Sequence, residues 1–145
     1  MKTNAGFTLI EILIAMLVLA VGLLGLAALQ ASSLKNNQSA YNRSQATQLA
    51  YDLADRMRAN TAGSASYTAG ATAADANCLS TIGCTAAQMA GNDLFEWNNS
   101  ITAILPGGVG AVSVAAGVFT ISITWNDDQD GDTGNNPSFQ TDFQL

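Results

Sequence analysis

The sequence predicts an α+β chain, a long N-terminal helix followed by a small head built on one antiparallel sheet. Three observations carry that expectation. Residues 7–29, FTLIEILIAMLVLAVGLLGLAAL, form a 23-residue apolar run whose only charge is Glu11. Ala46, Leu49, Ala50, Leu53, Ala54 and Met57 then recur at the spacing of a single helix face. Towards the C-terminus, VFTISITW at 118–125 alternates polar with apolar residues, as a half-buried strand does.

The apolar run is long enough to span a bilayer, at roughly 34 Å for a helix rising about 1.5 Å per residue. It does not suit a cleaved secretory signal, because the apolar part is too long and no A-x-A-like site follows in LGLAALQASS. A carboxylate inside such a run is costly and usually marks function or a partner. Glu11 either snorkels to the interface or has a partner. If the chain were cut between Gly6 and Phe7, the new α-amino group would lie one helical turn from Glu11. An amine there, on the same subunit or on a neighbour, would offset part of the desolvation of the carboxylate.

No proline interrupts 7–59, so the second half of the helix, 30–60, continues the first. Asp52 with Arg56 and Asp55 with Arg58 stand at helical pairing distances, and both arginines suit the negative end of the helix dipole. Asn60 and Gly63 supply stop signals. Gly22 and Gly25 weaken the helix locally, serving either close packing and unwinding or only the ordinary glycine usage of membrane helices.

The head, 61–145, begins with TAGSASYTAGATAADAN, which has no period and reads as a surface loop. Cys78 and Cys84 follow at a spacing that fits no C-x-x-C pattern. In an exported domain they close a small disulfide loop; the alternative is two independent buried thiols. Thr85 and Gln88 have the form of a capping box opening a second helix, whose apolar side is marked by Leu94, Trp97, Ile101 and Ile104. Met89 and Trp97 read as core, and Pro106-Gly107-Gly108 ends the helix. Strands are expected at 110–116 and 118–125 around a tight Ala116-Gly117 turn. A last strand at 138–145 would place Phe139, Phe143 and Leu145 on one face.

Composition excludes several functions. Outside Glu11 the chain carries ten acids against five basic residues, so no basic stripe for nucleic acid is present. There is no histidine, which removes the commonest general base and metal ligand. No nucleophile with a base and no paired carboxylates can be argued, so the chain is read as a non-enzyme without a cofactor. Asp127, Asp128, Asp130 and Asp132 alternate as calcium ligands do, but the order of an EF-hand loop fails, and an acidic solvated loop is the simpler reading. Three N-x-S sequons, at Asn37, Asn42 and Asn98, fall on predicted helices and are discounted.

The segment Ala5-Gly6-Phe7-Thr8-Leu9-Ile10-Glu11 resembles the type IV prepilin signature. The resemblance implies a leader at 1–6, cleavage between Gly6 and Phe7 by prepilin peptidase, and N-methylation of Phe7. It also implies that Glu11 is required for assembly and that 7–29 is first a transmembrane and then a filament-core helix. The resemblance extends to the PilV family of minor pilins through VGLLGLAALQ, AYDLADRMRAN, DLFEWNNSI with LPGG, and ISITWND. That implies the pilin fold, with the sheet packed on the second half of the helix. The implied function is a minor subunit that initiates or caps a type IV pilus. The implied partners are other minor pilins, the major pilin and a tip adhesin. The implied location is the inner membrane with the head in the periplasm, then the pilus fibre. Two other readings share the signature: a minor pseudopilin of a type II secretion system, and an adhesion or DNA-uptake pilin whose head binds a ligand.

Overall fold

The computed structural model describes residues 6–70, 73–81, 83–128, 130 and 132–145. The chain divides into two compact units, Met1–Gln38 and Ser39–Leu145, and helix α1, Leu9–Ala59, contributes to both. Residues 1–5 of the expected leader, and Gln129 and Gly131 of the acidic run, lie outside the described residues.

In the first unit the helix starts at Leu9, two residues later than the apolar run, because Thr8 caps it. The Thr8 carbonyl accepts from the Glu11 and Ile12 amides at 3.1 and 3.4 Å, and its hydroxyl accepts from the Glu11 amide at 3.4 Å. Threonine is a favoured capping residue for this reason. Every described side chain from Gly6 to Gln38 is exposed.

The second unit has its own core. Ala46, Leu49, Ala50, Leu53, Ala54 and Met57 are all buried, as the spacing predicts. They pack with Leu94, Trp97 and Ile101 of α2 (Ala86–Ile104) and with Phe119, Ile121, Ile123 and Trp125 of the sheet region. The capping box of α2 is complete: the Gln88 amide donates to Thr85 Oγ1 at 3.3 Å, and the Thr85 amide donates to Gln88 Oε1 at 2.9 Å. Trp97 lies at the centre, its indole N–H donating to the Leu49 carbonyl at 2.8 Å.

Strands β1 (Val109–Ala115), β2 (Val118–Thr124) and β3 (Ser138–Phe143) form an antiparallel sheet in that order. Ala116 and Gly117 both have positive φ, 51° and 78°, as the two-residue turn of a tight hairpin requires. A Cβ on Gly110 would overlap the Trp97 ring and Ile101, so only glycine lets β1 pass so close to α2. Phe119 stacks on Phe143 at 5.9 Å, and the Arg58 guanidinium sits 5.1 Å from the Phe143 ring centre.

Five expectations need correction. The segment after α1 is not a plain loop: Thr61–Thr68 is a 3-10 helix. Tyr67 anchors it from within the core, and Gly63 passes so close to the start of α2 that a Cβ there would overlap the Ala86 carbonyl. One aromatic anchor leaves no periodic trace in a sequence. Gly63 therefore serves close packing and not helix termination. Met89 is exposed, since it lies about a quarter of the way around α2 from the Ala90, Leu94, Trp97 and Ile101 stripe. Ile104 is exposed as well; the chain turns extended at Leu105, and that residue fills the core instead. Leu145 lies beyond the end of β3 and is exposed, whereas Phe139 and Phe143 do pack on the core.

Candidate functional site

The first unit presents the sequence-predicted site. Phe7 is 81% exposed just before α1, and Glu11 stands in the first helical turn. A carboxylate is favoured there by the positive end of the helix dipole. Among the described residues no cation lies within ion-pair distance of Glu11. Beyond it Leu13, Met16, Leu17, Leu23, Leu24 and Leu29 point in all directions around the helix and are all exposed. A helix apolar all round belongs in lipid or in the middle of a helix assembly. This one is long and apolar enough to cross a membrane. A Cβ added at Gly22 or Gly25 would meet nothing within 4 Å, so within one copy neither glycine serves a packing contact.

The second unit contains a polar cluster of which the sequence shows only half. Asp52 and Arg56 pair as expected, at 3.1 Å, and so do Asp55 and Arg58, at 2.7 Å. Arg56 also reaches across to α2, meeting Glu96 at 2.9 Å and Asp93 at 3.3 Å. Asp93 accepts from the Tyr67 hydroxyl at 2.5 Å, and Asn60 Nδ2 donates to the Ala86 carbonyl at 2.8 Å. One guanidinium thus links α1 to α2, while Tyr67 ties the 3-10 helix to the same carboxylate. These groups are engaged with one another in holding three elements together. A hydrogen bond to Glu96, opposed by burial, keeps the Arg56 guanidinium above its ordinary value, and the same bond holds Glu96 below the usual carboxylate range. Burial first, then the bond to Asp93, pushes the Tyr67 phenol up to about 12.

At the other end of the head, Asp127 accepts from Asn42 Nδ2 at 2.7 Å and from the Trp125 indole N–H at 2.8 Å. Burial pushes its carboxyl up, but hydrogen bonds from Ser39, Asn42 and Trp125 outweigh that and bring it below the ordinary value. Asp127 is therefore committed as an anchor between α1 and the end of β2. Asp128, by contrast, accepts from Asn135 at 3.2 Å on the surface. Cys78 and Cys84 are joined as a disulfide with a Cα separation of 4.8 Å, immediately before the Thr85 cap of α2.

These shifts set the pH dependence of the head. Glu96 and Asp127 are depressed, so their contribution is present above the unfolded carboxylate range and is lost as pH falls through their folded values. Tyr67 is raised, so its contribution is complete below about pH 10 and is lost as pH climbs towards about 12. Denaturant unfolding across the pH range should show both limbs. Tyr67→Phe should remove the alkaline limb; an unchanged alkaline limb would rule out the Tyr67 assignment.

Residues 1–27 match the family model described as the prokaryotic N-terminal methylation motif, which takes in the Gly6-Phe7 junction, Glu11 and most of the apolar run. Residues 28–95 match the model described as type IV pilin Tt1218, which runs through the rest of α1, the 3-10 helix and the first half of α2. No curated protein and no solved structure matches the chain. The two matches adjoin and together span residues 1–95, and with the long apolar helix and the α+β head they support a type IV pilin-like protein.

Proposed function

We propose that this protein is a minor pilin of the PilV type, cut between Gly6 and Phe7, methylated on the Phe7 amine, and used to initiate or cap a type IV pilus. The observation that carries this reading is the helix from Leu9 onward, apolar on every side and uncovered within its own unit, with Glu11 as the carboxylate in its first turn. Such a surface is stable only in lipid or among like helices. In the membrane it anchors the chain; in the fibre it packs against the major pilin and other minor pilins. Glu11 then meets the N-terminal amine of a neighbour, which fixes the axial position of the incoming subunit. The head is on the periplasmic side, where the Cys78–Cys84 disulfide is stable.

Deleting the gene should abolish surface pili, measured as pilin sheared from cells, and the wild-type gene should restore them. Normal pili with a secretion defect would move the protein to a type II secretion system, as a pseudopilin. Processing is tested separately. Gly6→Leu should leave the full-length precursor in the membrane, because a bulky residue replaces the last leader position. A shortened mature species on a gel would refute cleavage at this junction.

A further inference from the structure

We propose that the outer edge of β1 is a self-association surface, pairing antiparallel with β1 of a second copy about a two-fold axis at Ser113. The sheet has two edges, and they are guarded differently. The β3 edge carries a charge at Asp142. β1, VGAVSVA, has no charge and no proline, and its register with β2 runs unbroken from Val109 to Ala115, without a bulge. Natural sheets usually protect such edges with one of these devices. Among the described residues no backbone hydrogen bond from outside the sheet reaches β1.

The hairpin determines which groups are free. A two-residue turn at Ala116-Gly117 makes Ala115 and Val118 a hydrogen-bonded pair, so alternate residues Ser113 and Ala111 also bond to β2. Gly110, Val112 and Val114 therefore direct their N–H and C=O groups away from the sheet. A two-fold axis at Ser113 sets Val112 opposite Val114 of the second copy, and those outward groups then bond to each other. The same register sets Ala111 opposite Ala115 and Ser113 opposite Ser113, because AVSVA reads the same in both directions. Across 111–115 this register contains no unlike or charged pair. The second copy also covers Val114, which faces the core side of the sheet beside Phe119 yet is 47% exposed. The Ala116-Gly117 turn of the second copy, made of small residues, falls beside Gly110, at the rim of a cavity of about 260 Å³ between β1 and Tyr67–Gly70.

The test uses the full-length chain in its membrane, with single cysteines added. Ser113 sits at a non-hydrogen-bonded position of the new pair, where opposite Cα atoms approach to about 4.5 Å, a separation that a disulfide bridges. Under mild oxidation Ser113→Cys should give a homodimer on a non-reducing gel, Gln140→Cys on β3 should not, and adding Val114→Lys to Ser113→Cys should remove the dimer. The proposal is overturned if Ser113→Cys stays monomeric, if Gln140→Cys dimerises equally, if the dimer survives Val114→Lys, or if the cysteine captures a different protein.

Discussion

Glu11→Ala should enter the membrane at least as well as the wild-type chain and yet largely disappear from sheared filaments. Removing a carboxylate from an apolar segment relieves an insertion cost of about 2.5–3.5 kcal/mol near a helix centre, and less near its end. In the fibre the sign reverses. A neighbour's amine, brought into the helix assembly to meet Glu11, would be left buried without its partner, and breaking such a pair costs on the order of 3 kcal/mol. At roughly tenfold per 1.4 kcal/mol, incorporation should fall about a hundredfold. Membrane fractionation and immunoblotting of sheared pili give both quantities from one culture. An alanine variant found in filaments at the wild-type level would mean that Glu11 merely snorkels to the interface.

Trp97→Ala should unfold the head without touching the membrane helix. Trp97 is 1% exposed, and its indole N–H donates to the Leu49 carbonyl. Truncating a buried tryptophan costs about 3–5 kcal/mol, while the Leu49 carbonyl keeps its helical bond and loses only its second donor. A small domain has roughly 5–15 kcal/mol in total, so the variant should be protease-sensitive at growth temperature. Trp97→Phe keeps most of the packing and should lose far less. Limited proteolysis of membranes reads the head directly. An alanine variant as resistant as wild type would show that α2 does not hold the head against α1 through this ring.

Much of this is legible in the sequence because the signals are periodic or local. The apolar stripe from Ala46 to Met57, the alternation in β2, the two-residue turn and the Thr85–Gln88 box all reside in short stretches of chain and all appear. What stays hidden depends on residues far apart in sequence. Arg56 looks complete with Asp52 four residues away, and nothing local announces Asp93 or Glu96. Tyr67 stands alone among small residues, so its anchoring role comes only with Asp93 in place. Asp127 sits in a run of acids that suggests a cation, whereas its partners are Asn42 and Trp125. Met89 misleads because apolar character alone, without its angle around α2, says little about burial. The candidate site at Gly6, Phe7 and Glu11 is legible from its motif, since it depends on order along the chain and not on folding.

The polar links between α1 and the rest of the head recur along the helix at Asn42, at the Leu49 carbonyl and at Arg56. They are seven residues apart, so successive links lie about 10 Å from each other along the axis. Tension drawn along the helix pulls on such links sideways and together, as shear across a row of rivets, and not one after another as in peeling. The spacing also repeats after two helical turns, so all three face the head. A subunit whose apolar segment is gripped by a fibre would therefore resist having its head stripped away by mechanical force, with resistance shared among several points instead of concentrated at one.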